Sequence, residues 1–302
     1  MITLDEAKGA LLRSGYLLEN RIESIFRRRA YYAQANSAYP DPKTGISREI
    51  DVYALSATKA GPGERDFLFT AFLVECVNNP EPLLLITKEA QVGFLHHEDL
   101  HLSGIPAKFP MKGKPHRWIR FTEYLELEKY HHYCRGRVAT QFCSFQRKKP
   151  SPQDWMAWHD ETHFDAFRKL SAAVDHAVTD HYRRWRFDGP EPLNIQLYYP
   201  VLVVQGELLE ARPTKRAVHL SRRNHLAFRR SDFVAGEERN YQIDVVQERH
   251  FLRFVALVER ESERIARVLR RRHRPVRDAI DRTARAARRF KAPERIRKAM
   301  EV

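Results

Sequence analysis

The first quarter of the chain has a helical pattern followed by three strand patterns. Apolar residues recur at helical intervals on both sides of Gly15, which predicts a short helix and then a longer one. "AYYAQANSAY" (30–39) and "ISREIDVYAL" (46–55) predict two strands joined by a tight turn in "PDPKTG". "DFLFTAFLVECV" (66–77) is continuously apolar, as expected for an interior strand covered on both faces. The predicted order is therefore a helix followed by a three-stranded meander.

The rest of the chain predicts one long helix and further strands. "PEPLLLIT" (80–87) predicts a short strand, but the remainder of residues 80–150 mixes His, Pro and Gly without a sustained period and is interpreted as an irregular insertion. A period near 3.6 from Asp154 to Arg186 predicts a long helix. Residues rich in Val, Ile, Leu and aromatic side chains predict further strands within 195–213, 217–230 and 240–247.

These patterns predict one α/β domain over residues 1–250, with a mixed β-sheet flanked by helices. Residues 251–302 form a predicted helical C-terminal extension, in which an amphipathic helix reaches Pro275 and a more polar helix follows. There is no Pro- or Ser-rich linker and no internal repeat in the sequence. The extension is therefore the one clear change in composition along the chain.

Charge is concentrated in that extension. The chain has a formal net charge of +14, and residues 260–298 contain 16 Lys or Arg against five acids. A surface of this sign concentrates phosphates, so nucleic acid, above all DNA, is the expected partner. Three interpretations stay open for the segment: an arm that contacts phosphates, a solvated helical tail, and a helix for homodimerisation or a partner protein.

The compartment follows from what the sequence lacks. It has no basic and apolar leader pattern and no run approaching 18 apolar residues, so we expect a soluble, cytoplasmic protein without membrane contact. Its three cysteines are odd in number and widely spaced, which favours free thiols. Phosphate-loop, dinucleotide-binding and nucleophile-elbow motifs are absent from the sequence.

Two predicted strands carry an acid close to their ends. Asp51 lies in "SREIDVYA" (47–54) and Glu75 in "FLVECVNN" (72–79), while Glu19 lies on the preceding helix. Two interpretations are open for Asp51 and Glu75. Either Asp51 is an ordinary strand-end acid and Glu75 a salt-bridge partner, or the two acids meet at a metal. An unpaired charge ending an apolar strand is costly, which favours the metal. Hard ions such as Mg²⁺ are held in phosphoryl-transfer sites by one or two carboxylates.

This arrangement resembles the PD-(D/E)XK, or restriction-endonuclease-like, nuclease superfamily, whose core is an α-β-β-β-α-β unit. The resemblance is carried by "GYLLE" (15–19), "REIDVYA" (48–54) and "FLVECVNN" (72–79), and the order of elements extends it to about residue 205. It implies a restriction-endonuclease-like fold and hydrolysis of phosphodiester bonds in DNA with Mg²⁺ or Mn²⁺.

The resemblance also implies a role for individual residues. Asp51 and Glu75 are then metal ligands, and the backbone carbonyl of Cys76 is a third. Glu19 is the supporting acid on the helix, and Glu23, one turn later, is a weaker candidate for that role.

One position departs from the family pattern. Where the superfamily has Lys two residues after the Glu, this chain has Val77, which has neither charge nor exchangeable proton. Some members supply the basic group from a neighbouring element, and Lys88, Gln91 and Gln141 are the candidates here. The leading prediction is a Mg²⁺-dependent DNA endonuclease. The alternatives are a catalytically degenerate nuclease fold that binds nucleic acid or a partner protein, and a basic scaffold protein with coincidental acids.

A zinc site is a further alternative. Imidazole and thiolate are suitable zinc ligands, but their spacing in this chain fits no paired-ligand pattern. The candidate residues are His131, His132, Cys134, Cys143, His159 and His163.

Overall fold

The computed structural model describes residues 2–13, 16–79, 81–89, 100–106, 108–111, 114–147, 154–159, 161–184, 192–234 and 236–289. Its helices are α1 (Leu4–Arg13), α2 (Tyr16–Arg28), α3 (Phe121–Tyr124), α4 (Glu161–Arg184), α5 (Phe251–Arg271) and α6 (His273–Arg289). The first seven strands are β1 (Tyr32–Pro40), β2 (Ser47–Lys59), β3 (Phe67–Val77), β4 (Leu83–Glu89), β5 (His101–Ser103), β6 (Lys108–Met111) and β7 (Lys114–Arg120). The others are β8 (Arg137–Arg147), β9 (Trp155–Trp158), β10 (Asn194–Val204), β11 (Leu208–Pro213), β12 (Val218–Arg223), β13 (His225–Val234) and β14 (Glu237–Gln247).

A large mixed sheet organises these elements. Its strand order is β1-β2-β3-β10-β14-β13-β8-β4-β11-β12, while β5 also pairs with β10 and β9 with β8. The meander of β1, β2 and β3 is antiparallel, whereas β10 runs parallel to both β3 and β14. The predicted mixed sheet flanked by helices is therefore confirmed.

Helices cover both faces of the sheet, which explains the continuously apolar strands β3 and β10. On one face, α4 packs Phe167, Leu170 and Val174 against β3 and β10. On the other face, α2, α5 and α6 share a second core, in which Phe26 of α2 packs on Phe251 of α5 at a ring distance of 5.4 Å. The two cores together bury both sides of the central strands.

The apolar sides of α5 and α6 pack into that second core. Helix α5 buries Phe254, Val258 and Ile265, which recur at helical intervals on one side, and most of its arginines are exposed on the other side. α6 buries Val276, and the His273 Nε2 atom lies 3.0 Å from an Asp66 carboxylate oxygen in the β2–β3 connection. Removing α5 would therefore also remove core residues, and the boundary drawn at residue 251 stays a prediction.

Two predicted elements differ in the structure. The helix predicted from Asp154 was wrong at its start, because the Trp155–Trp158 segment pairs with β8 as the exposed strand β9 and the helix begins at Glu161. The region predicted as an irregular insertion also contains β8, a strand of the main sheet that lies between β13 and β4. Long-range strand pairing stabilises both segments, and local periodicity does not report it. In the described part of the chain, no helix is both long and apolar enough to cross a membrane.

Candidate metal centre

The ladder between β2 and β3 opens where the two predicted metal acids lie. Regular pairing ends at Val52 and Val74, and beyond it the Asp51 Oδ2 atom accepts a 2.7 Å hydrogen bond from the backbone amide of Cys76. The carboxylate thus takes the place that a strand carbonyl has in a continued ladder. The N–H and C=O groups of one strand residue point to the same side, so the Cys76 carbonyl faces the same gap.

Glu75 is buried beside this gap. Its residue surface is 3% exposed, and its Oε2 atom accepts a 3.0 Å hydrogen bond from Lys169 Nζ. Its Oε1 atom is buried without a hydrogen-bond partner among the described residues. A buried carboxylate oxygen in that condition carries a large desolvation penalty, which a cation relieves. The donor set of Asp51, Glu75 and the Cys76 carbonyl therefore fits a hard divalent ion.

Burial dominates the electrostatics of the two acids. Burial raises the pKa of Glu75 to about 8, and the nearby charge of Asp51 adds to the increase while Lys169 opposes it. Burial also raises the pKa of Asp51, and the hydrogen bond from Cys76 and the charge of Lys169 oppose that shift. Buried acids with raised pKa values are common at metal and catalytic sites.

Lys169 reaches the site from α4, and sequence reasoning missed it. Tyr39 of β1 donates a 3.0 Å hydrogen bond to the Lys169 carbonyl, which ties this turn of α4 to the sheet. By itself burial lowers the pKa of Lys169, but Glu75 and Asp51 raise it above its ordinary value, so the ammonium stays charged. The sequence does contain one indication of this position, because Lys169 lies beside the apolar stripe of α4, between Ala166 and Ala173.

Glu19 of α2 lies close enough to Asp51 for the charge of that residue to affect its pKa. Burial raises the pKa of Glu19, and the charge of Asp51 raises it further. Helix α2 therefore brings this acid towards the site. Glu19, Asp51 and Glu75 do not, however, form one of the groups of three ligand atoms within 4.8 Å found among the described residues. The supporting role of Glu19 stays a prediction. The weaker candidate, Glu23, forms an ion pair with Arg27 on the same helix.

Two candidates for the missing basic group lie on strands that do not pair with β3. Lys88 is on β4 and Gln141 on β8, and these strands lie five and four places from β3 in the sheet order. Gln91 lies outside the described residues. Val77 itself is 8% exposed and packs in the core beneath α4.

Only His131 and His132 of the predicted zinc ligands lie together. Among the described residues, the two groups of close ligand atoms are His131, His132 and Glu261, and His132, His225 and Asp244. Cys134, Cys143, His159 and His163 are in neither group, and His159 packs instead on Phe142 at 4.8 Å between rings. All three cysteines are free.

Comparisons of the chain with family models, with curated proteins and with solved structures gave no match.

Proposed function

We propose that the chain is a metal-dependent phosphodiesterase that cleaves DNA. The observation that carries the proposal is the hydrogen bond between Lys169 and Glu75, beside Asp51 at the open end of the β2–β3 ladder. It supplies the basic group that the sequence pattern lacks at Val77. Two carboxylates with one lysine are the residue types that metal-assisted phosphoryl transfer requires.

The order of elements supports the proposal independently. Along the chain α2, β1, β2, β3, α4 and β10 follow one another as α-β-β-β-α-β, with other elements inserted between β3 and α4. In the sheet, β1, β2, β3 and β10 are consecutive neighbours. The same order defines the core of the superfamily that the sequence resembles, and Asp51, Glu75 and Lys169 all come from this unit.

Asp51, Glu75 and the Cys76 carbonyl would hold the ion. When bound, a divalent ion polarises the phosphate and lowers the pKa of the attacking water. Glu75 must lose its proton before it can act as a ligand, because its pKa is about 8. Lys169 remains cationic, so it can orient the attacking water and stabilise the negative charge that develops on the phosphoryl oxygens.

The surface of the C-terminal helices favours DNA as the substrate. Exposed arginines follow the outer side of α5 and the start of α6, opposite the apolar residues that those helices bury. Guanidinium groups pair well with phosphate, and a row of them gives sequence-independent affinity for a nucleic-acid backbone. The exposed residues are Arg253, Arg260, Arg264, Arg267, Arg270, Arg271 and Arg274.

A cleavage assay tests the proposal. The purified chain is incubated with Mn²⁺ or Mg²⁺ and labelled duplex, single-stranded or branched DNA, or RNA, and products are separated on denaturing gels. We expect metal-dependent cleavage of DNA by the wild type and its loss in Asp51→Asn and Glu75→Gln. Cleavage of RNA alone would overturn DNA as the substrate. DNA binding without cleavage by any form would favour the degenerate binding module, and neither activity would overturn both.

A further inference from the structure

A second group of acids and histidines lies on the other face of the sheet. His225 of β13 and Asp244 of β14 are on adjacent antiparallel strands, and their register places the two side chains diagonally on one face. His132 comes from the short turn His132–Cys134, and Glu261 comes from α5. Four separate segments of the chain therefore meet at this point.

Three ligand atoms of this group converge. The Asp244 Oδ1 atom lies 2.7 Å from His225 Nε2 and 3.2 Å from His132 Nε2. Four-coordinate zinc with ligands at about 2.0–2.2 Å holds those atoms about 3.3 Å apart, so an outward shift of roughly half an ångström makes room for the ion. His225 can move, because its side chain is 26% exposed while that of Asp244 is fully buried.

The groups behind these atoms hold them in the orientation that a metal needs. The Glu261 carboxylate accepts a 2.8 Å bond from the His132 backbone amide and lies 2.6 Å from its Nδ1 atom, which directs Nε2 towards Asp244. Tyr133 donates a 2.8 Å hydrogen bond to Asp244 Oδ2, which leaves Oδ1 towards the two imidazoles. A carboxylate behind a ligating histidine is the usual second layer of a zinc site.

Charge balance also favours a cation. Asp244 and Glu261 are both buried carboxylates. A divalent ion bound beside them offsets their two negative charges, which removes the cost of a buried net charge.

We propose that His132 Nε2, His225 Nε2 and Asp244 Oδ1 form a zinc site, with a fourth position open to solvent beside His225. Imidazole and carboxylate donors suit zinc among the first-row divalent ions. The site joins the segment around residue 132 to β13 and β14 and, through Glu261, to α5. It does not depend on the proposed nuclease activity, because it shares no residue with the Asp51 and Glu75 centre.

Zinc content after desalting tests the site. The full chain is stripped with a chelator, loaded with Zn²⁺, desalted and measured by atomic emission, and folding of each variant is checked by circular dichroism. We expect about one zinc per chain in the wild type, and less than about a tenth of that in His225→Gln. The matched control is His219→Gln, an exposed histidine on β12, which should keep its zinc. The double variant Asp51→Asn with Glu75→Gln should also keep it, which separates this site from the nuclease centre.

Co²⁺ gives a second readout that needs no variant. Visible d–d absorption of a four-coordinate ion should appear when the stripped wild type is loaded with Co²⁺ and disappear when Zn²⁺ is added. No retained zinc in the wild type, or equal zinc in the wild type and a folded His225→Gln, would overturn the site. If His225→Gln does not fold, the Co²⁺ spectrum of the wild type decides. Absence of the d–d absorption overturns the zinc site, and presence of the absorption supports the site.

Discussion

Lys169 on α4 and Glu75 on β3 are joined by a 3.0 Å hydrogen bond although 94 residues separate them in sequence. The pair forms because α4 crosses the sheet face on which Glu75 lies, and because Tyr39 fixes the same helical turn to β1. The basic group of the proposed site therefore lies on a different element from its acids. In the proposed enzyme, this relationship makes Lys169 the main target for mutation.

Lys169→Met should lower the turnover of DNA cleavage by about 10²–10³-fold, because it removes a donor positioned at a developing phosphoryl charge. Binding of Mn²⁺ should be retained, since Asp51 and Glu75 remain. The matched control is Arg168→Met, which removes an exposed cation from the adjacent position, where it pairs with Asp165. Single-turnover kinetics at saturating metal measure both. Equal rates for wild type and Lys169→Met would place the basic group elsewhere.

Affinity for Mn²⁺ should depend on pH in the range where Glu75 titrates. Because burial and the charge of Asp51 raise its pKa to about 8, the ion displaces a proton below that pH. We expect affinity to rise by up to about tenfold per pH unit below 8 and then to level off. Isothermal titration between pH 6 and 8.5, in buffers with different ionisation enthalpies, measures affinity and released protons together. A flat profile would contradict a role for Glu75 as a ligand.

Glu75→Gln should stabilise the metal-free chain at alkaline pH. The folded-state pKa of Glu75 is about 8 against 4.5 for an ordinary Glu, so its contribution to stability is fully present below about pH 4.5 and is lost as the pH rises through about 8. At pH 8.5 we expect the free energy of unfolding of the variant to exceed that of the wild type by on the order of 1–3 kcal/mol. At pH 5 we expect little difference between them. Urea unfolding measures it, and the exposed Glu64→Gln is the control. An equal gain at both pH values would show that another effect dominates.

Val77→Lys, which restores the motif of the superfamily, should destabilise the chain without raising cleavage. Val77 is 8% exposed and packs with Leu73 and Leu83, so a lysine there buries a charge among apolar groups. We expect a loss of about 2–4 kcal/mol, measured by urea unfolding. Val77→Leu is the control for size alone. A gain in cleavage by Val77→Lys would show that the site still lacks its basic group.

Neutralising the exposed arginines should weaken the salt dependence of DNA binding. Removing the helices would disturb the core, so we suggest replacing Arg260, Arg267, Arg271 and Arg274 with Gln instead. Each phosphate that the protein no longer neutralises should reduce the slope of log affinity against log salt by about 0.9. Fluorescence anisotropy at several salt concentrations measures the slope. The control is Lys215→Gln with Arg216→Gln, on the exposed β11–β12 turn. An unchanged slope would assign DNA binding to another surface.

The sequence by itself determined most of the local elements and the two acids of the candidate centre. The continuous apolar run of β3 and the helical period of α5 were readable, because burial on both faces or on one stripe leaves a periodic trace. Asp51 and Glu75 were visible because an acid near the end of such a run contrasts with its neighbours. That contrast needs no knowledge of what the acid touches.

Only the tertiary structure decided which residues complete the two centres. Lys169 looks like any charged residue at the margin of an amphipathic helix, while Lys88 is closer to Glu75 in sequence but lies on a strand five places away. His225, Asp244 and Glu261 likewise come from two strands and a helix that pairing and packing bring to His132. Periodicity records which side of an element is buried, but not which element covers it. Strand order and helix crossing are set by the packing of the whole chain, and they place these side chains together.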